Sequence, residues 1–225
     1  MDFKNLISEK SKTFLIENPQ VIVLLGKPGS GKGSQRTLWF ELLRSLNIHC
    51  LFTDTGQLFR DAFDENKSNP HRAKLDDGNV KKIREIQISG KLQSPTLATY
   101  MWTNYLMRFY TGTGCLIMDG SPRSQLEYRN LESLFINLYE IKPKYILLDI
   151  PDNVSHSRLE ERTLVDNRVE NLTEHSRNIR LNDYEQKTVP MIHYLEATAK
   201  GRLFKIDGTQ EKEKVFLESL NLILN

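Results

Sequence analysis

The sequence predicts an α/β fold: a five-stranded parallel sheet, flanked by helices, with a phosphate-binding loop at its first strand. Three observations predict it. Five short apolar runs recur at wide intervals: Val21–Leu25, Ile48–Thr53, Cys115–Met118, Tyr145–Ile150 and Leu203–Ile206. Helix-length segments separate them, which suits parallel strands joined by crossovers and covered on both faces. The first run ends at Gly26-Lys-Pro-Gly-Ser-Gly-Lys-Gly-Ser-Gln35, a Gly-x-x-x-x-Gly-Lys pattern between a strand and a helix.

The elements follow in order. Residues 1–19, ending at Asn18-Pro19, read as an extra helix before the first strand. Ser34–Leu46 reads as the first crossover helix, with Leu38, Leu42 and Leu46 at fourfold spacing. Asp61–Lys91 is long and polar with few strand signals, and Arg162–Arg180 is polar and arginine-rich. Both follow strands, on the side where open parallel sheets bind ligands, so both read as excursions over a site. Gln125–Glu140, Asn182–Ala199 and Gln210–Leu224 read as three further helices. The 225 residues fit one domain over 1–225, without repeats or low-complexity tracts.

Composition narrows the function. With 39% hydrophobic and 27% charged residues, the chain has an ordinary soluble make-up. A net charge of +2 excludes a general polyanion partner, so no nucleic acid is expected and any basic site is local. No apolar run approaches membrane-spanning length, and Met1-Asp-Phe-Lys leads into charge rather than a secretory core. A cytoplasmic monomer is expected. Cys50 and Cys115 adjoin apolar runs and read as buried strand thiols; no Cys/His cluster has zinc spacing.

Chemistry concentrates at the glycine loop. Gly29, Gly31 and Gly33 let successive N–H groups point at one anion, and the helix that follows adds its dipole. Lys32 supplies a mobile positive charge for the outer phosphates. Gly33 stands where the usual pattern has a Ser or Thr that touches magnesium, and Ser34 comes one place later. A cation would then be held by phosphate oxygens, water and an acid from another strand. Asp119, closing the run Cys115–Met118, is the candidate. Arg60, Arg123, Arg158, Arg162, Arg168, Arg177 and Arg180 gather in or beside the excursions, as an anion clamp requires. Arg158 and Arg162 share a helix face.

These motifs together resemble the nucleoside monophosphate kinases of the adenylate kinase type, from about Val21 onward. The loop Gly26–Gln35 is similar to that family's loop, glycine after lysine included. The resemblance implies a P-loop NTPase-type fold with a helical monophosphate-binding flap over 54–98 and a short lid over 163–176. It implies ATP on Gly29, Ser30, Gly31, Lys32, Gly33 and Ser34, with Arg158 and Gln210 beside it. Asp54-Thr-Gly-Gln-Leu-Phe-Arg60 places Thr55, Gly56 and Arg60 at the monophosphate. Ser89-Gly-Lys-Leu-Gln93 brings Lys91, Leu92 and Gln93 to the acceptor base. Asp119-Gly-Ser-Pro-Arg123 adds Gly120 and Arg123 at the acceptor phosphate, with Asp119 reaching Mg2+ through water. Arg162, Arg168 and Arg180 would flank or enter the lid and act with Lys32 and Arg123 in catalysis. AMP is the favoured acceptor.

The departures are specific. Gln57 replaces an aspartate, Ser121 a phenylalanine, and Glu170 with Asn171 a pair of lid acids. Glu127 stands where adenine is read by a glutamine; a carboxylate only accepts hydrogen bonds and leaves adenine N1 without a donor. Relaxed base choice follows if Glu127 reads the base. The alternative is that it turns outward and Gln125 or Gln93 reads it. Two other functions stay open: a P-loop kinase acting on a hydroxyl, with Asp54 as base, and a non-catalytic nucleotide-binding protein.

Overall fold

β1 (Gln20–Leu25) is the central strand and is buried from end to end. The computed structural model describes residues 6–62, 76–165 and 173–224. β2 (Cys50–Asp54), β3 (Cys115–Asp119), β4 (Lys144–Asp149) and β5 (Leu203–Asp207) complete a sheet in the order β2-β3-β1-β4-β5, with every pairing parallel. All five expected strands form.

Alternation along β1 sends its side chains into two cores. Val21, Val23 and Leu25 face one, Ile22 and Leu24 the other. The second core is closed by α1 (Glu9–Glu17), α2 (Lys32–Ser45) and α10 (Lys212–Leu224), where Trp39 meets Phe216 edge to face at 5.6 Å. α1 is the extra helix expected near the start; Ser8 caps it and Leu15 anchors it. The first core is closed by α5 (Pro95–Phe109), α6 (Gln125–Leu138) and α9 (Val189–Thr198), with α3 (Thr55–Asp61) and α4 (Asp77–Ile88) contributing Leu58 and Ile83. No described helix is long and apolar enough to cross a membrane.

Two expectations are corrected. The first crossover helix starts at Lys32, two residues early, because Gly31 takes a left-handed φ of 95° and opens the helix there. The single helix expected over Asn182–Ala199 is α8 (Glu174–Asp183), a π turn (Tyr184–Thr188) and α9. Thr173 and Ser176 cap α8 reciprocally and start it early. Pro190, which has no N–H to give, follows the wide π turn.

The parallel register aligns the carboxyl ends of the strands, so Asp54 lies beside Asp119 on β2 and β3. Above them, the chain after α4 is fixed to α8: the Leu92 N–H donates to Asp183 Oδ2 at 2.7 Å. A Cβ on Gly90, whose φ is +79°, would meet the Ser176 carbonyl oxygen at 2.3 Å, so only glycine allows this approach. Of the expected lid over 163–176, residues 166–172 lie outside the described residues; α7 (Asp152–Val165) leads into it and α8 leads out.

Candidate active site

One cavity of about 980 Å³ opens at the carboxyl ends of the strands. The turn from β1 into α2 forms one wall, with Gly29, Ser30, Gly31, Lys32, Gly33 and Ser34 all lining it. At Gly26 the backbone passes so close to β4 that a Cβ would sit 2.5 Å from the Leu148 carbonyl oxygen. At Gly33 a Cβ would meet nothing, so packing does not dictate glycine there. Arg158 on α7 reaches across to this wall, donating to the Gly208 carbonyl at 2.9 Å and to Gly29 at 3.4 Å. Gln210 lines the same end.

Lys32 is the centre of the loop. Its Nζ donates to the carbonyls of Gly26 at 2.7 Å and Lys27 at 3.0 Å, and to Ser30 Oγ at 3.2 Å. Burial pushes its pKa down to about 8; Asp119 opposes the fall, while Arg123, Arg180 and Arg162 add to it. A bound polyphosphate favours the ammonium and raises that pKa. Polyphosphate binding therefore takes up protons around and above pH 8, and affinity falls as pH rises through about 8 toward the bound-state value. Titration calorimetry of ATP between pH 7 and 9.5 is expected to show weakening of up to about tenfold per pH unit above 8. Below pH 8 this contribution is flat.

Asp119 faces Lys32 across the cavity. Burial raises its pKa, Lys32 pulls it back, and the neighbouring Asp54 raises it further. Its carboxylate accepts no hydrogen bond among the described residues. A buried acceptor open to the cavity suits a hydrated divalent cation, whose waters donate to it. Among the described residues no group of three or more His, Cys, Asp or Glu is arranged to hold a metal, so such a cation would depend on phosphate oxygens and water.

The opposite wall is built from α3, the chain after α4 and the loop after β3. Thr55, Gly56 and Arg60 line it, as do Lys91, Leu92 and Gln93, and Gly120 with Arg123. Asp54 caps α3 through the Gln57 N–H and pairs with Arg60 at 3.7 Å. Gln57, an unexpected residue in its motif, orients that arginine: its Oε1 accepts from Arg60 Nε at 3.1 Å. Arg123 differs. Its backbone is held on both sides, by Glu127 at its N–H and Thr188 at its carbonyl, yet its guanidinium makes no hydrogen bond or ion pair among the described residues, although its charge opposes the rise in the Asp119 and Glu127 pKa values. Arg162 and Arg180 also line the cavity, whereas Arg168 lies outside the described residues.

Glu127 does not turn outward. It is buried, with its pKa raised by that burial, and its carboxylate accepts from Ser121 Oγ at 2.7 Å, Arg123 N at 3.3 Å and Ser124 Oγ at 3.2 Å. It lines the cavity while bracing the loop that carries Arg123. Sequence reasoning missed Arg36 and Gln87, which also line it. Arg36 donates to Asp54 Oδ2 at 3.0 Å. Its signal was its position one helical turn after Lys32, on the same face.

Comparison with known proteins decides the family. No family model matches the chain. An adenylate kinase of Prochlorococcus marinus subsp. pastoris is 30% identical over 187 residues, covering 83% of this chain and 89% of that one. The chain belongs to the adenylate kinase family. An adenylate kinase of Flavobacterium johnsoniae is 27% identical over 194 residues, covering 86% of this chain and 93% of that one. UMP-CMP kinase 1 of Oryza sativa subsp. japonica is 26% identical over 199 residues, covering 87% of this chain and 70% of that one. As a member of the adenylate kinase family, the chain is a nucleotide phosphotransferase. These relatives are named for different bases, so membership leaves the base open.

Proposed function

We propose that the protein transfers the γ-phosphoryl group of ATP to a nucleoside monophosphate, with AMP as the leading acceptor and two ADP as the products. The observation that carries this reading is the Arg123 guanidinium, with no hydrogen bond among the described residues, in one cavity with the glycine loop and with an oriented Arg60. A second phosphate site opposite the first is what a phosphate acceptor needs and a hydroxyl acceptor does not.

ATP would lie with its β- and γ-phosphates in the curl of Gly29–Ser34, Lys32 exchanging loop carbonyls for phosphate oxygens. The monophosphate would take Arg123 and Arg60. The attacking atom is a phosphate oxygen, anionic at neutral pH, so no side chain has to remove a proton. The barrier is charge: two polyanions must meet in line. Lys32, Arg123, Arg162 and Arg180 offset that repulsion, and Arg168 is assigned the closing role from its place in the expected short lid. Mg2+ bound with ATP would supply positive charge to the non-bridging phosphate oxygens; Asp119 would hold its water shell.

A coupled assay of ADP formation with ATP and Mg2+ against AMP, dAMP, GMP, CMP and UMP tests the reading. The expected result is turnover that depends on a monophosphate, greatest with AMP. Binding of ATP without turnover on any acceptor would favour a non-catalytic nucleotide-binding protein. With shikimate and hexoses added to the same assay, turnover on one of these hydroxyl acceptors and on no monophosphate would favour Asp54 as a base.

A further inference from the structure

Arg36 is a cation of the cavity that neither the donor nor the acceptor assignment uses. It stands one turn after Lys32 on α2, and both residues line the cavity. Side chains on a helix tilt toward its N-terminus, which carries Arg36 back toward the phosphate loop. Its guanidinium then crosses to the acceptor wall, where Nη1 donates to Asp54 Oδ2 at 3.0 Å. Arg60 pairs with the same oxygen at 3.7 Å. Asp54 is the register partner of Asp119, and the Arg36 charge opposes the rise in the Asp119 pKa. The guanidinium therefore lies between the donor helix and the acceptor arginine, close to Asp119.

The bond to Asp54 occupies one nitrogen of that guanidinium. Its other N–H groups make no hydrogen bond among the described residues. Nor are they sealed into the core: the Arg36 side chain is 30% exposed and borders the cavity. A planar guanidinium fork carries several donors, so it can keep a carboxylate on one side and take phosphate oxygens on another. Asp54 is itself held, because its Oδ1 accepts from the Gln57 N–H at 3.1 Å where α3 begins. Arg36 is thus aimed in advance, as a group that stabilises developing charge has to be. The competing account makes Arg36 nothing more than a counter-charge for Asp54. The two differ in what happens when the Asp54 charge is removed.

We propose that Arg36 is a further catalytic residue, spanning the two phosphate sites: Asp54 holds one of its nitrogens, and its remaining N–H groups donate to non-bridging oxygens of the transferring phosphoryl group. This rests on the phosphotransfer reading and adds a residue to it. In that step an oxygen of the monophosphate bonds to the γ-phosphorus. The bond from that phosphorus to its bridging oxygen breaks, the electron pair leaves with ADP, and no proton moves. Charge is spread over the equatorial oxygens between the two sites, where a residue reaching from one wall to the other meets it. Asp54 is a positioning residue, acting through Arg36.

The test is a double-mutant cycle on Arg36→Met and Asp54→Asn, with Arg36→Lys beside it. Steady-state kinetics with ATP and AMP give kcat and both KM values. Calorimetry measures AMP binding to the free protein and to the protein saturated with the β,γ-imido analogue of ATP. Arg36→Met is expected to lower kcat by about 10²-fold. It should weaken AMP by about tenfold on the analogue complex and by less than about threefold on the free protein, since both phosphates are present only in the first. Arg36→Lys keeps the charge without the planar fork and should recover only part of kcat. Asp54→Asn keeps an oxygen for the Gln57 N–H, and the double variant should fall about as far below it as Arg36→Met falls below wild type. The double variant also loses both charges together, so it decides the matter if Arg36→Met alone melts early. A fall in kcat of less than about tenfold in Arg36→Met overturns the proposal. So does a double variant that regains the rate of Asp54→Asn, because Arg36 would then serve only to answer the Asp54 charge. If the wild type turns over no monophosphate, the phosphotransfer reading fails. The calorimetry still decides the place of Arg36: equal weakening of AMP on both forms, or none, puts it outside the junction of the two sites.

Discussion

Lys32→Ala is expected to lower kcat by about 10²- to 10³-fold while ATP still binds. In the empty protein the Lys32 ammonium is buried and held by two loop carbonyls and the Ser30 hydroxyl. Burial has already brought its pKa down to about 8, so the site holds a charge that its surroundings disfavour. Negative charge on a transferring phosphoryl group relieves that cost, and relieves it most where the charge is most developed. Lys32 thus stabilises the transition state more than the ground state, and its loss appears in kcat. ATP affinity should fall by less than about tenfold, since the loop N–H groups and the α2 N-terminus remain. Alanine also leaves the Gly26 and Lys27 carbonyls without their donor, so the loop's integrity has to be measured with the rate. Single-turnover kinetics at saturating ATP, with circular dichroism and thermal melting alongside, separate the two effects. A folded variant with kcat within tenfold of wild type would remove Lys32 from the chemistry.

The sheet was legible because it is parallel and covered on both faces. Each strand had to be a short apolar run, and each run had to be followed by a crossover helix. The loop was legible because its glycines answer to backbone geometry rather than to neighbours distant in sequence. What stayed hidden depends on contacts between segments far apart. The role of Gln57 is visible only once α3 folds and Arg60 comes back over it. The state of Glu127 depends on Ser121, Arg123 and Ser124 turning inward together, which residue type alone does not dictate. Gln87 reads as an ordinary polar helix residue until Ile83, one turn earlier, is found in the core. The early start of α8 depends on Thr173 and Ser176 capping each other, a local exchange that hydrophobic periodicity does not register.

Arg123→Ala is expected to raise the KM for the monophosphate by about tenfold to a hundredfold, lower kcat, and leave ATP affinity within about threefold of wild type. Arg60 is oriented by Gln57 and faces Asp54, so part of its charge is already answered. The Arg123 guanidinium has no such partner among the described residues, although the backbone that carries it is pinned by Glu127 and Thr188. A pre-positioned guanidinium with no hydrogen bond to break can pair directly with an incoming phosphate. Hydrogen bonds to a charged group of this kind contribute about 1.5–3 kcal/mol, one to two decades in affinity. Removal relieves Lys32 of a like charge, so its pKa should rise from about 8, but it also takes a favourable charge away from buried Asp119 and Glu127. These effects oppose each other, so the melting temperature of the empty variant should stay close to that of wild type. Arg60→Ala serves as the comparison: it also weakens the acceptor, but it takes from Asp54 a cationic partner that Arg36 does not replace, and should lower the melting temperature. Arg168→Ala, by contrast, is expected to lower turnover for every acceptor alike. Steady-state kinetics with both substrates varied, together with melting curves, check all three. If Arg123→Ala raises only the KM for ATP, Arg123 belongs to the donor rather than to the acceptor.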